Sequence, residues 1–191
     1  MRYGPDHKER THGRILDAAA RLFRKQGYAA TGVDEVMESA GMTAGGFYSH
    51  FRSKRRLLVE ALDRAFDDSG SRVRAALERR EGAKWPMSFA NFYLSSRHRD
   101  SVERGCPMPA LAADVARVDP RARDVFEKHL RRRLAAVGAG LGASSDDNSK
   151  AIATVALCLG GLMLARAVKD TTFSDQILES CRTALPLLHE S

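Results

Sequence analysis

The side chains able to do chemistry are concentrated in one short stretch. Between residues 31 and 54 stand the hydroxyls of Thr31, Thr43, Tyr48 and Ser49, the imidazole of His50, the ammonium of Lys54, and the small residues Ala44, Gly45 and Gly46. Hydroxyls, uncovered backbone N–H groups and a cation all donate to anionic oxygen, so the set suits phosphate binding better than bond cleavage. Elsewhere the reactive groups are scattered. Cys106, Cys158 and Cys181 are odd in number, far apart and without a C-x-x-C pair, which indicates neither a disulfide framework nor a zinc knuckle and predicts reduced thiols. His7, His12, His50, His98, His129 and His189 show no close ligand spacing, so no metal or other cofactor is expected. G-x-S-x-G and H-E-x-x-H are absent, and Gly138-x-Gly140-x-Gly142 follows a helical pattern without dinucleotide-loop spacing; an enzyme is not expected.

The elements that must position these groups read as helices. Apolar residues recur at helical spacing nearly throughout, and no strict two-residue alternation occurs, so the fold class is all-α. Ile15, Leu16, Ala19, Leu22 and Phe23 stripe a first helix that Gly27 ends. Thr31 with Asp34 predicts a capped short helix to about Ser39, closed by Gly41, and Thr43 caps a second short helix carrying Phe47 and Phe51. Ser53 caps a long helix with Leu57, Leu58, Ala61, Leu62, Ala65 and Phe66 on one side. A joint at Gly82 and Trp85-Pro86 precedes a larger helical body, in which Asp119-Pro120 opens one helix, residues 143–150 form a loop and first turn, and Ser174 caps the last helix before Pro186. The domains expected are residues 8–68 and 69–191. The apolar run Ala151–Ala165 spans roughly 22 Å as a helix, short of a bilayer core of about 30 Å, and residues 1–10 lack an apolar signal region. Cytoplasmic localisation and no membrane partner are therefore expected.

The two short helices, joined through Ala40-Gly41-Met42-Thr43, predict a helix-turn-helix whose second helix lies in a DNA major groove. Charge is concentrated there. The chain carries a net charge of +7, and residues 1–56 supply five of those seven, with eleven Lys and Arg against six Asp and Glu. Gly45 and Gly46 each cost about 0.8–1.0 kcal/mol inside a helix relative to Ala, and close backbone approach to DNA is a reason for both. The expected DNA-binding residues are Thr31, Thr43, Ala44, Gly45, Gly46, Tyr48, Ser49, His50 and Lys54, whereas Phe47 and Phe51 are core. Arg131-Arg132-Arg133 reads as a solvated helix face.

The segment ILDAAARLFRKQGYAATGVDEVMESAGMTAGGFYSHFRSKRRLL, residues 15–58, resembles the DNA-binding module of the TetR family of transcriptional regulators. Ala18, Leu22, Phe23, Gly27, Thr31, Val33, Val36, Ala40, Gly41, Gly45, Tyr48, His50, Phe51, Lys54 and Leu57 carry that resemblance. Ala44 and Gly46 depart from it, standing where longer or hydroxyl-bearing side chains are common, so direct base readout is expected to be sparse. The resemblance implies a ligand-responsive repressor, a homodimer on double-stranded, palindromic operator DNA, released by a small-molecule effector or an electrophile. A helical protein–protein adaptor that keeps the same scaffold is the alternative. The resemblance places dimerisation on the last two long helices, with Leu159 and Leu162 in the seam. The residues expected around the effector are Trp85, Phe89, Phe92, Cys106, Met108, Leu111, Phe126, Leu130, Leu162 and Arg166. Arg104-Gly105-Cys106-Pro107 sets a thiol beside a cation at a helix start, and this segment resembles that of family repressors with a reactive cysteine.

Overall fold

The computed structural model describes residues 5–77, 85–141 and 148–188. Gly82, Gly142, His189 and the predicted loop at 143–147 lie outside the described residues, as does the side chain of Trp85. All regular elements among the described residues are helical. The helices α1 (Pro5–Ala30), α2 (Val33–Ser39), a 3-10 helix (Ala44–Ser49) and α3 (Lys54–Leu77) form the amino-terminal part. They are followed by α4 (Trp85–Tyr93), α5 (Ser96–Asp100), a 3-10 turn (Val102–Arg104), α6 (Pro107–Val118), α7 (Pro120–Leu141), α8 (Ser149–Ala167), α9 (Thr171–Ala184) and a final 3-10 turn (Pro186–Leu188).

The predicted break at Gly27 is present as a kink, with φ +83° and ψ 167° at that residue. This conformation interrupts the helical ladder, and the two exposed groups find new partners. The Tyr28 N–H donates to Asp114 Oδ2 on α6 at 2.9 Å, and the Gly27 carbonyl accepts from the Thr31 hydroxyl at 2.7 Å. Thr31 therefore does not cap α2. The N-cap is Gly32, and no side chain caps that helix. Ser53 does cap α3, accepting from Arg56 N–H at 3.1 Å. Asp119 accepts from Arg121 N–H at 2.8 Å at the start of α7. The last helix begins earlier than expected: Asp170 caps α9 by accepting from Phe173 N–H at 3.0 Å, while Ser174 sits buried within it and donates to Ala165 O on α8.

The amino-terminal core joins Ile15, Phe23, Met37, Phe47, Phe51, Leu57, Leu58 and Leu62, all fully buried. Burying aliphatic and aromatic side chains at roughly 1.5–3 kcal/mol each holds the short elements, too short to be stable alone, against α1 and α3. α3 also packs on α4, α6 and α7, and it passes without interruption through residues 68–69. The two parts thus share one helix rather than a linker. In the second part α8 is central, lying against α6, α7 and α9. It spans 19 residues, longer than its apolar run, and by length and composition alone it is long and apolar enough to cross a membrane. In this fold Ala151, Val155, Cys158, Leu162 and Ala165 are buried against its neighbours, while Ile152, Met163 and Leu164 stay exposed.

Candidate nucleic-acid interface

The residues expected to meet DNA divide by how the fold uses them. Phe47 and Phe51, stacked with centroids 5.7 Å apart, anchor the 3-10 helix in the core. That anchoring turns the next residue outward, and Tyr48 is 76% exposed, the most exposed large hydrophobic side chain among the described residues. The element is a 3-10 turn rather than the α-helix expected. Thr43 is its N-cap and makes no side-chain capping bond, so its exposed hydroxyl is left outward. Ala44, Gly45 and Ser49 are exposed, and the Ser49 hydroxyl donates to Gly46 O at 2.7 Å.

The two glycines differ in purpose. A side chain at Gly45 would meet open space, whereas at Gly46 it would lie 3.5 Å from Met37 Cε. A side chain at position 46 would thus make an ordinary van der Waals contact with α2, whereas Gly45 leaves the backbone open to an approaching surface. Gly41, with φ +68°, forms the sharp turn between the two elements, and a Cβ there would fall 2.7 Å from Arg14 Nη2.

Thr31 is a correction to the expected set. It is completely buried and its hydroxyl is engaged with Gly27 O, so it cannot present a donor to phosphate. His50 is also altered in character. Burial, reinforced by His12, Lys8 and His7, lowers its pKa from the ordinary value, so it is a neutral imidazole near pH 7. Lys54 rests with Nζ 4.3 Å from the Tyr28 ring centroid and 3.5 Å from Ala29 O. It is held loosely at the corner between α1 and α2 beside the 3-10 helix. His12 stacks on Phe51 at 4.5 Å and shares a 2.9 Å hydrogen bond with Glu60, tying α1 to α3 behind the exposed face.

The chain matches the family described as bacterial regulatory proteins, tetR family, over residues 15–61, the segment that builds this face. Residues 15–61 thus carry the amino-terminal segment of this family. Among its relatives, the HTH-type transcriptional regulator LmrA of Bacillus subtilis (strain 168) is 26% identical over 187 residues, covering 90% of this chain and 92% of LmrA. The uncharacterised HTH-type transcriptional regulator YerO of the same organism is 44% identical over 50 residues, but the match spans only 26% of this chain and 17% of YerO. A TetR transcriptional regulator from Chloroflexus aurantiacus J-10-FL shares the fold across 95% of this chain and 96% of its own, with a TM-score of 0.80 at 22% identity.

In the second part of the chain, the fold buries Phe89, Cys106, Met108, Leu111 and Leu162 and leaves Phe92, Phe126 and Leu130 half-buried. Not all of them share one space: Phe126 packs edge-on against Phe66 of α3, with centroids 5.9 Å apart. Arg166 does reach the Cys106 segment, but its Nε and Nη2 donate to the carbonyls of Arg99 and His98, at 3.0 and 2.7 Å. Cys106 is the N-cap of α6 and only 3% exposed. Leu162 is fully buried within the protomer, so it cannot line a seam to a second copy; Leu159 is half-buried.

Two functional features escaped the sequence reading. Arg133 was read as solvated, yet it is half-buried with Cζ 5.6 Å from the Phe89 ring centroid. Its position three residues after Leu130 on the apolar stripe of α7 is the signal that marks it. The second is a polar latch between the two parts. Arg24 on α1, 3% exposed with its pKa pushed down by burial to about 10, donates Nη1 to Gly105 O at 3.3 Å. Lys25 pairs with Glu103 at 3.0 Å, and His129 meets Asp63 at 2.6 Å.

Proposed function

We propose that this chain is a ligand-responsive transcriptional repressor that acts in the cytoplasm as a homodimer on double-stranded operator DNA. The exposed Tyr48, projected from a core-anchored turn at the centre of a basic amino-terminal part, is the single observation that carries this reading. Thr43, Ala44, Gly45, Gly46, Tyr48, Ser49, His50 and Lys54 form the DNA face in this reading. Hydroxyl and backbone groups position the domain on phosphates, and Lys54 swings from Tyr28 to a phosphate oxygen. With alanine and glycine at positions 44–46, base contacts are few. The family match over residues 15–61 speaks against the adaptor alternative, which gives no reason for an uncovered Gly45.

A homodimer is supported by an apolar surface with no partner in the protomer. Ile152, Met163 and Leu164 on α8, Phe173 on α9 and Leu187 beyond it are 46–64% exposed. Gly160 faces open space on the same side of α8, where a second helix can approach closely. Residues 8–68 serve as the DNA-binding part and residues 69–191 as the effector and dimerisation part, coupled through α3 and the Arg24–Gly105 latch. A small molecule that binds better to the arrangement with mismatched heads weakens DNA binding by that difference in affinity. Covalent modification of Cys106 is a second route to release; at 3% exposure it requires an opening motion, and C106S protein that still leaves DNA on treatment with quinone would exclude it.

The test is binding of the purified chain to the fragment upstream of its own gene against random duplex, across a salt series. Preference for the fragment, with affinity falling as salt rises, is expected. Equal binding to both duplexes at moderate ionic strength would overturn the reading.

A further inference from the structure

The interior of the second part holds polar groups that the fold leaves without counterparts. Tyr93 of α4 is 2% exposed, and its Oη has no hydrogen-bond partner. Its polar neighbours are the buried thiols of Cys106 and Cys158, which are weak hydrogen-bonding groups. Arg133 of α7 comes into the same space. It stands over the Phe89 ring, that ring lies 5.4 Å from the ring of Tyr93, and the guanidinium charge acts on Tyr93, His98 and Cys158. Among the described residues no carboxylate pairs with Arg133.

Among the described residues, the charged groups that act on His98 are the cations Arg166 and Arg133. His98 is fixed as the neutral tautomer, with Nδ1–H donating to Tyr93 O at 2.8 Å and Nε2 accepting from Cys106 N–H at 3.1 Å. Arg166 is committed to backbone carbonyls. The contacts therefore bring together the Arg133 guanidinium, which has no carboxylate partner among the described residues, the Tyr93 hydroxyl without a hydrogen-bond partner and the buried Phe89 ring. A half-buried cation without a carboxylate partner and a fully buried donor without an acceptor are both left unsatisfied, and a single ligand oxygen group of negative charge suits both. A trapped water would serve the hydroxyl but leave the charge uncompensated. Planar carboxylate geometry matches guanidinium in a bidentate pair.

We infer that Arg133, Tyr93 and Phe89 form an effector subsite for an aromatic carboxylate, with the carboxylate on the guanidinium and phenol and the ring against Phe89. The inference rests on the reading of the chain as a ligand-responsive regulator and specifies the class of ligand. Neither Tyr93 nor Arg133 belongs to the set expected from sequence.

The test uses the full-length protein with benzoate and 2-naphthoate as probes and 2-naphthamide as the uncharged isostere, read by calorimetric titration and thermal shift. At least one acid should bind saturably, at least tenfold more tightly than the amide, and weaken binding to the upstream fragment. R133Q should abolish the preference for acid over amide, and R133K should restore part of it. Y93F should weaken acid binding several-fold without lowering the melting temperature of the unliganded protein, because its hydroxyl has no partner to lose. If R133Q fails to fold, Y93F and R133K decide the matter. No binding of either acid, equal binding of acid and amide, unchanged acid binding in R133Q or Y93F, or acid binding with no effect on fragment affinity would each overturn the inference. The regulator reading is judged separately, by fragment preference of the unliganded wild-type protein.

Discussion

Substituting alanine for glycine at two positions of α1 should have opposite effects. Gly27 adopts φ +83° and ψ 167°, a region essentially closed to residues with a Cβ, and forcing one into it costs on the order of 1–3 kcal/mol. The added methyl would also stand 3.4 Å from Asp114 Oδ2, the acceptor for Tyr28 N–H. If that charge-assisted bond is disturbed, up to about 1.5–3 kcal/mol more is at risk. Gly13 has no positive φ, and a methyl added there would meet nothing within 4 Å, so Gly13→Ala should stabilise by about 0.5–1 kcal/mol. For a chain of this size a loss of 1 kcal/mol lowers the melting temperature by roughly 2–4 °C. Gly27→Ala should therefore melt roughly 2–24 °C below wild type and Gly13→Ala slightly above it. Thermal melts followed by far-UV circular dichroism, with urea denaturation for the free energies, at one fixed protomer concentration, measure both. In an Asp114→Ala background the share transmitted through Tyr28 vanishes, so the double variant should be less destabilised than the sum of the singles. The reasoning fails if Gly27→Ala proves as stable as Gly13→Ala.

Further outcomes follow from the face, the seam and the interior. Lys54→Ala should lower affinity for all duplexes and flatten the log–log salt dependence by about 0.9, the loss of one phosphate contact; an unchanged slope in fluorescence anisotropy would remove Lys54 from the interface. Leu164→Glu, on the exposed face of α8, should give monomers in sedimentation velocity with little loss of helix, whereas an intact dimer would place the seam elsewhere. Leu162→Ala, in the protomer core, should instead cost about 2–5 kcal/mol of stability. His98 has a pKa lowered by burial to about 4, against 6.5 for an ordinary histidine. Between those values the unfolded chain binds the extra proton, so stability should fall as pH drops through that window, by up to about 1.4 kcal/mol per pH unit. His98→Asn should flatten that slope in urea titrations at pH 5 and 6.5; equal slopes in both proteins would contradict a buried neutral ring.

The amino-terminal half was readable because its signals are local. Gly27, Gly41 and Ser53 fall where chain direction changes, and Phe47 and Phe51 alternate with the exposed Tyr48 on one short turn. Thr31 misled because a capping-box spacing cannot reveal that a kink four residues earlier leaves a carbonyl requiring its hydroxyl. The same applies to Ser174, whose hydroxyl is taken by Ala165 O on the neighbouring helix. Leu162 misled for a different reason: α8 is apolar on every side, so its sequence carries no phase to tell core from seam. Arg133 hid in a run of three arginines, where composition outweighed its register with Leu130. Long-range pairs such as Arg24 with Gly105, 81 residues apart, have no local signature at all.

Because α3 belongs to both halves of the molecule, the angular setting of the reading head is encoded in helix length. Each residue inserted into its middle turns would rotate the head by about 100° and lift it by about 1.5 Å relative to the body. Seven residues would nearly restore the original bearing while adding about 10 Å of height. Chimaeras that graft this head onto another body must therefore join within α3 in phase, since a junction out of step by one residue would aim Tyr48 away from the duplex.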